Sequence, residues 1–191
     1  MKNSIEITRG YQIGYMILHH LLAALICGVF EAVAAWYFLD KQIARYIVAG
    51  VFTVIYGLLV YGSARKLSLL DNKPYTPLRP NIKWGFIWGL SIAATVAVFT
   101  LIYKLNWLIF SEGNGVTNIF AVILNILYYV WTAPYFGFMP DMGGNIPAYT
   151  IVLMMAVPIA ASALGYWAGI KKFDLLEKLD SLTFEKEEND D

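Results

Sequence analysis

A single cysteine, Cys27, leaves this 191-residue chain without an internal disulfide and without a Cys-x-x-Cys redox pair. Charge is scarce as well. Asp, Glu, Lys and Arg make up 15% of the residues, against about 25% in an ordinary soluble domain. The balance of signs is zero, which removes the global field expected of a nucleic-acid binder or of an enzyme for acidic substrates. No Walker loop, dinucleotide fingerprint or zincin helix is present. The commonest routes to phosphate, nicotinamide and zinc chemistry are thereby excluded, and neither a cofactor nor a metal is expected.

Apolar residues fill the space left by charge. They make up 59% of the chain, with 16% aromatic, and the mean hydropathy is +0.57. A soluble domain is about 45–50% apolar, so this chain has too little polar surface to cover itself in water. A bilayer core about 30 Å thick needs roughly 20 apolar residues in helix. Five blocks reach or approach that length: Tyr11–Phe38, Gln42–Ser63, Trp84–Tyr103, Ile119–Met139 and Ala148–Ile170. They lack the polar–apolar alternation of barrel strands. The fold class expected is therefore all-α, a polytopic transmembrane helix bundle.

The start of the chain has some features of a signal peptide, with Lys2 and Arg9 before an apolar run and Ala32-Val33-Ala34 as a small-residue site. Glu31 interrupts the run just before that site, and a helix reaching Phe38 makes a full span. An uncleaved first helix is expected.

Lys and Arg near membrane ends stay on the cytoplasmic side. With the N-terminus inside and five crossings, the basic residues divide seven against seven. If Ile119–Met139 fails to cross, Lys171, Lys172, Lys178 and Lys186 move inside and the division becomes eleven against three. That block also carries Asn118, Asn125 and Thr132 at seven-residue spacing, with Pro134 near its end. Its second half is rich in Tyr and Trp, which prefer the headgroup level. Four crossings plus one re-entrant or interfacial segment are expected, with both termini cytoplasmic; five crossings are the alternative. The connection Ala64–Lys83 reads as a basic, proline-rich inner loop. Its five cations act on topology first and on anionic lipid second. The bundle accordingly spans residues 1–170. Residues 171–191 form an amphipathic stretch (Phe173, Leu176, Leu179) followed by the acidic run Glu185–Asp191.

Lipid provides no hydrophobic drive to pair helices, so small residues that admit close backbone contact matter more. They recur every four residues as Ala24, Gly28 and Ala32, as Gly85, Gly89, Ala93 and Ala97, and as Ala161, Gly165 and Gly169. These ridges are expected to meet one another, a membrane-protein partner or a second copy of the chain.

Ionisable groups inside a membrane are costly and invite a functional reading. His20, Cys27 and Glu31 fall on one side of the first helix, as a ligand or proton path would require. The plainer reading seats the histidines near an interface and has Glu31 hydrogen-bond a neighbouring helix. His20 and Glu31 lie eleven residues apart, roughly 16 Å at 1.5 Å per residue, so one metal ion cannot bridge them. Asn125 and Thr132 with Tyr128, Tyr129 and Trp131 suit a ligand cavity, or more plainly an interfacial anchor. Gly89-Leu90-Ser91 is similar to the surroundings of a hydrolase serine, but both histidines are on another helix and a nucleophile needs an adjacent base. Asp141, between Pro140 and Gly143-Gly144-Asn145, reads as a turn former.

Arg79-Pro80 leading to Trp84-Gly85, and Gly165-Tyr166-Trp167-Ala168-Gly169 before Lys171-Lys172-Phe173-Asp174-Leu175, resemble segments of small uncharacterised multi-pass membrane proteins of Gram-positive bacteria. The resemblance implies a bacterial inner membrane and a cytoplasmic C-terminus, and it carries no activity. The Ala24-x-x-x-Gly28-x-x-x-Ala32 ridge and the chain length resemble the substrate-binding component of energy-coupling-factor vitamin transporters, a six-helix family. Three functional classes follow: a non-enzymatic accessory or structural membrane subunit, expected first; a small-molecule-binding transporter subunit, second; and an intramembrane enzyme, third.

Overall fold

The computed structural model describes residues 8–37, 41–74, 76, 78–110, 119–139 and 146–173. These form α1 (Arg9–Tyr37), α2 (Gln42–Asp71), α3 (Lys83–Phe110), α4 (Ile119–Trp131), a 3-10 helix (Ala133–Phe138) and α5 (Ala148–Ile170), with no strand among the described residues. The protein is an all-α bundle, and α1, α2, α3 and α5 are long and apolar enough to cross a bilayer. At 1.5 Å per residue, the 13 residues of α4 reach only about 20 Å, short of a core about 30 Å thick.

Polar contacts fix which ends share a rim. Arg9 at the start of α1 pairs with Asp71 at the end of α2. Tyr166, near the end of α5, donates to the same carboxylate at 2.8 Å. The amide of Asn81, just ahead of α3, donates to the Tyr166 hydroxyl at 3.3 Å. Both described chain ends therefore sit on one rim, named here for Asp71. The far rim carries the end of α1, the start of α2, the end of α3 and the start of α5.

The segment Ile119–Met139 enters from the far rim and returns to it. On the way in, α4 runs antiparallel to α3: Asn106 meets Asn125, Tyr103 stacks on Tyr128, and Phe99 stacks on Trp131. The chain turns at Thr132, whose hydroxyl donates to the Tyr128 carbonyl at 2.8 Å. The 3-10 helix then climbs between α1 and α2, from the level of Gly28 and Thr53 to that of Glu31 and Ala49. Pro134, lacking an amide hydrogen, suits the start of that element. The outcome is a re-entrant hairpin, with its 3-10 backbone covered by helices on two sides as membrane depth demands.

Close approach of helices does the remaining work. A Cβ on Gly165 would lie 2.3 Å from the Tyr61 carbonyl oxygen of α2, and one on Gly89 would lie 2.5 Å from Cα of Ile159 in α5. Only glycine fits at these two crossings. Gly85 faces Ser162, Ala163 and Tyr166, Gly169 faces Ser68, and Gly28 faces Ala133. Ala93 is buried in the same interior. These small-residue faces are thus occupied by other helices of the same chain.

Two helices run past the ends of their apolar blocks. The span expected to stop at Ser63 continues to Asp71, and the one expected to stop at Tyr103 continues to Phe110. Arg65 and Lys66 end the apolar run, but they are good helix formers, and Leu67 and Ser68 remain buried. The turn begins only at Asn72, ahead of Pro74, so the connection before α3 is residues 72–82 rather than 64–83. Asn118, Asp141, Gly143, Gly144, Asn145, Leu176, Leu179 and the acidic run lie outside the described residues.

Candidate functional site

One face of α1 carries a buried polar group at nearly every second turn: Gln12, His20, Cys27 and Glu31. With 3.6 residues per turn these fall within one arc of the helix. That arc faces α2 and the re-entrant hairpin, while Leu18, Leu22, Val29 and Phe30 face outward.

Gln12 belongs to the Asp71 rim. Its Nε2 donates to Asp71 Oδ1 at 2.6 Å, and its Oε1 accepts from Arg9 Nη1 at 2.7 Å. Arg9 also donates to the Arg79 carbonyl at 2.8 Å and stacks over Trp84 with 4.5 Å to the ring centre. The Asp71 carboxylate thus receives Arg9, Gln12 and Tyr166 together, a set that compensates its burial. Asp71 falls within the stretch Ala64–Lys83 that the sequence reads as a loop, and this knot was missed. The three-residue spacing of Arg9 and Gln12 on a helix face was the available signal.

His20 lies at the floor of the hairpin and is fully buried. Its Nδ1 is 2.7 Å from the Tyr56 hydroxyl, and its ring stands edge-on to Trp131 at 5.3 Å. Tyr56 in turn packs edge-on against Tyr135 of the 3-10 helix, centroids 5.8 Å apart. One turn from Glu31, the Cys27 thiol donates weakly to the Phe52 carbonyl at 3.8 Å.

Glu31 stands at the far end of this face. Its Oε1 accepts the Gly137 amide hydrogen at 2.7 Å, and the Phe136 amide is a second donor to the carboxylate. Two successive amides at the end of a 3-10 turn form a small anion-binding concavity, so one side chain holds the returning strand of the hairpin. Gly137 has no room for a larger residue: a Cβ would lie 2.9 Å from both Ala49 Cβ and the Arg45 carbonyl oxygen.

Three polar atoms on or beside this cluster have no hydrogen-bond partner within the protein: His20 Nε2, Glu31 Oε2 and Arg45 Nε. Unpaired buried polar atoms cost about 1–3 kcal/mol each, and others lie elsewhere in the bundle, at Tyr61, Ser68, Trp88, Asn106 and Ser162.

The other residues singled out from sequence are distributed elsewhere. Asn125 Oδ1 accepts from Asn106 Nδ2 at 2.9 Å, tying α4 to α3. Tyr128 is buried, stacked on Tyr103 at 4.1 Å, and its hydroxyl points at Met139 Sδ, 3.9 Å away. Trp131 Nε1 donates to Thr95 Oγ1 at 3.1 Å. His20 and Trp131 therefore meet, whereas Glu31 and Asn125 lie at different places in the fold. A groove of about 290 Å³ beside α4 is lined by Leu25, Gly28, Val29, Tyr129, Val130, Ala133 and Phe136; it takes in Tyr129 but not His20, Glu31, Asn125, Tyr128 or Trp131. Ser91 is not near His20 in any contact described. Its hydroxyl donates to the Ile87 carbonyl of its own helix at 2.8 Å.

Comparison with known protein families, with curated proteins and with solved structures finds no match. The reading of function accordingly rests on the geometry above.

Proposed function

We propose that the protein is a non-enzymatic accessory subunit of the bacterial cell membrane, with both termini in the cytoplasm. The observation that carries this reading is a shallow apolar groove of about 320 Å³ between α2 and α5, floored by Thr53, Gly57, Ala160 and Ala161 and flanked by Leu58 and Leu164. It is a small-residue surface left open outside the internal crossings, and such surfaces allow a neighbouring transmembrane helix to approach closely. The Ser91 hydroxyl, bonded within its own helix, supports the same reading over an intramembrane hydrolase. The cytoplasmic placement of both ends rests on the distribution of Lys and Arg.

Photocrosslinking from a benzophenone side chain at Leu164 in native membranes tests this proposal. A discrete protein adduct that disappears in Ala161→Phe is expected. Adducts with lipid alone, together with a monomeric mass in mild detergent, would remove the accessory-subunit reading. A small-molecule-binding subunit is the second reading, favoured by the groove against Tyr129 and Phe136. A co-purifying solute identified by native mass spectrometry would select it.

A further inference from the structure

We propose that the Asp71 rim recognises the phosphate-bearing headgroups of anionic phospholipids. Lys66, Lys171 and Lys172, where α2 and α5 end, and Arg79 and Lys83, where the chain enters α3, form the surface. This holds for whichever leaflet the rim faces and does not rest on the accessory-subunit reading.

The rim turns only positive charge outward. Among the described residues only Glu31 and Asp71 carry a side-chain carboxylate. Both are buried, and Asp71 is already paired with Arg9. The lysines and the arginine named above are all exposed. Two helices begin and two end on this rim. Their macrodipoles, about half a charge at each terminus, therefore cancel and leave the side chains to set the field. Towards the far rim the exposed cations among the described residues are Lys41 and Lys104, while Arg45 is half-buried.

The depth of these cations matches that of lipid phosphate. Tyr11 of α1 and Trp167 of α5 are exposed near this rim, and amphipathic aromatic rings favour the headgroup level. Lys171 follows Trp167 by one helical turn, about 6 Å farther out at 1.5 Å per residue. Ile82, exposed and next to Lys83, adds apolar surface beside a cation.

The cations are also held in place. Asn72 Nδ2 donates to the Ile170 carbonyl at 3.2 Å, a bond between positions 98 apart that brings Lys171 and Lys172 to the basic connection. Arg65 Nε donates to the Phe173 carbonyl at 2.9 Å, directly after that lysine pair. The Arg79 carbonyl accepts from Arg9, and the Asn81 amide donates to the Tyr166 hydroxyl. The loop expected from sequence thus becomes one plate with the end of α5. A surface fixed in this way loses little freedom when headgroups dock on it.

The full chain in phosphatidylcholine vesicles carrying a minor fraction of phosphatidylglycerol tests this. Spin-labelled versions of the two lipids report how much of each is held at the protein. A preference for phosphatidylglycerol of about fivefold is expected, the effect of roughly one cation near the surface. It should vanish at about 1 M salt, where the Debye length is about 3 Å, and that arm needs no variant. Lys66→Gln with Lys171→Gln and Lys172→Gln, and separately Arg79→Gln with Lys83→Gln, should each lower the preference. Lys41→Gln with Lys104→Gln should lower it less. Equal association of the two lipids, or a loss at least as large in the far-rim pair, would overturn the proposal. So would loss of the preference to inorganic phosphate at matched ionic strength, which would make a soluble phosphate the ligand. A preference seen only after Glu185→Gln, Glu187→Gln and Glu188→Gln would make the chain's own acidic tail the occupant and overturn it too.

Discussion

Gln12 and Asp71, 59 positions apart, are joined by a 2.6 Å hydrogen bond that ties the first turn of α1 to the last turn of α2. Arg9 and Tyr166 complete the shell around that carboxylate, so α1 and α5 converge on one buried acid at the end of α2. Such a centre invites measurement.

Asp71→Ala leaves Arg9 and Gln12 facing a hole at the rim. Removing one partner of a buried ion pair typically costs about 3–5 kcal/mol. Because the Arg9 side chain keeps some solvent contact, 17% exposure against 0% for Asp71, the expected loss is near the lower figure. Denaturant unfolding in detergent micelles measures it. Arg9→Ala in the Asp71→Ala background should add much less than it does alone, since the two act on one interaction.

Glu31→Ala removes the acceptor for Gly137 and Phe136 in a buried site. The freed amides have no water to turn to, and a loss of about 1–3 kcal/mol is expected. Glu31→Gln retains a carbonyl oxygen and should cost less. Loosening of the hairpin would appear as faster hydrogen exchange at residues 133–138 than at α5, and equal exchange at both would contradict the clamp.

Gly165→Ala places a methyl group 2.3 Å from the Tyr61 carbonyl oxygen. Helix backbones cannot yield as a flexible side chain can, and overpacking costs about 1–3 kcal/mol. Gly50→Ala, where a Cβ meets nothing within 4 Å, is the control and should change stability by less than about 1 kcal/mol. Thermal unfolding of the pair separates crossing-point glycines from incidental ones.

With Cys27 replaced by serine, single cysteines at Lys41, Lys73 and Lys171 read the topology. An impermeant maleimide applied to intact cells should label the first and spare the other two. Labelling of Lys171→Cys with protection of Lys73→Cys would mean that the hairpin region crosses after all, and the even-numbered arrangement would fall.

Much of this architecture is legible in the order of residues. The last block, Ala148–Ile170, coincides with α5 to the residue, because Pro147 precedes it and charge follows it. The re-entrant segment was legible too, since Asn125 and Thr132 on one face, Pro134, the aromatic second half and the bias of Lys and Arg all oppose a fifth crossing. Hydropathy misplaced the ends of α2 and α3, because a helix stops at a breaker or a cap rather than where apolarity stops. The candidate site was legible only in part. Helical periodicity groups His20, Cys27 and Glu31, but their partners Tyr56, Phe52 and Gly137 come from elements 25 to 106 positions away. Spacing along one helix carries no information about such distant contacts. Asn125 shows the opposite error, being polar in an apolar run and yet a tie to Asn106 rather than a member of the His20 cluster.

The return of the chain at Thr132 has a consequence for assembly. A hairpin that enters and leaves by the same rim adds no pass, so the parity of the chain is set by α1, α2, α3 and α5 alone. The insertion machinery can complete those four passes in sequence and admit the hairpin afterwards, once α1 and α2 stand side by side to receive it. On that order of events the polar interior is the last part of the protein to close, and Glu31 is the latch.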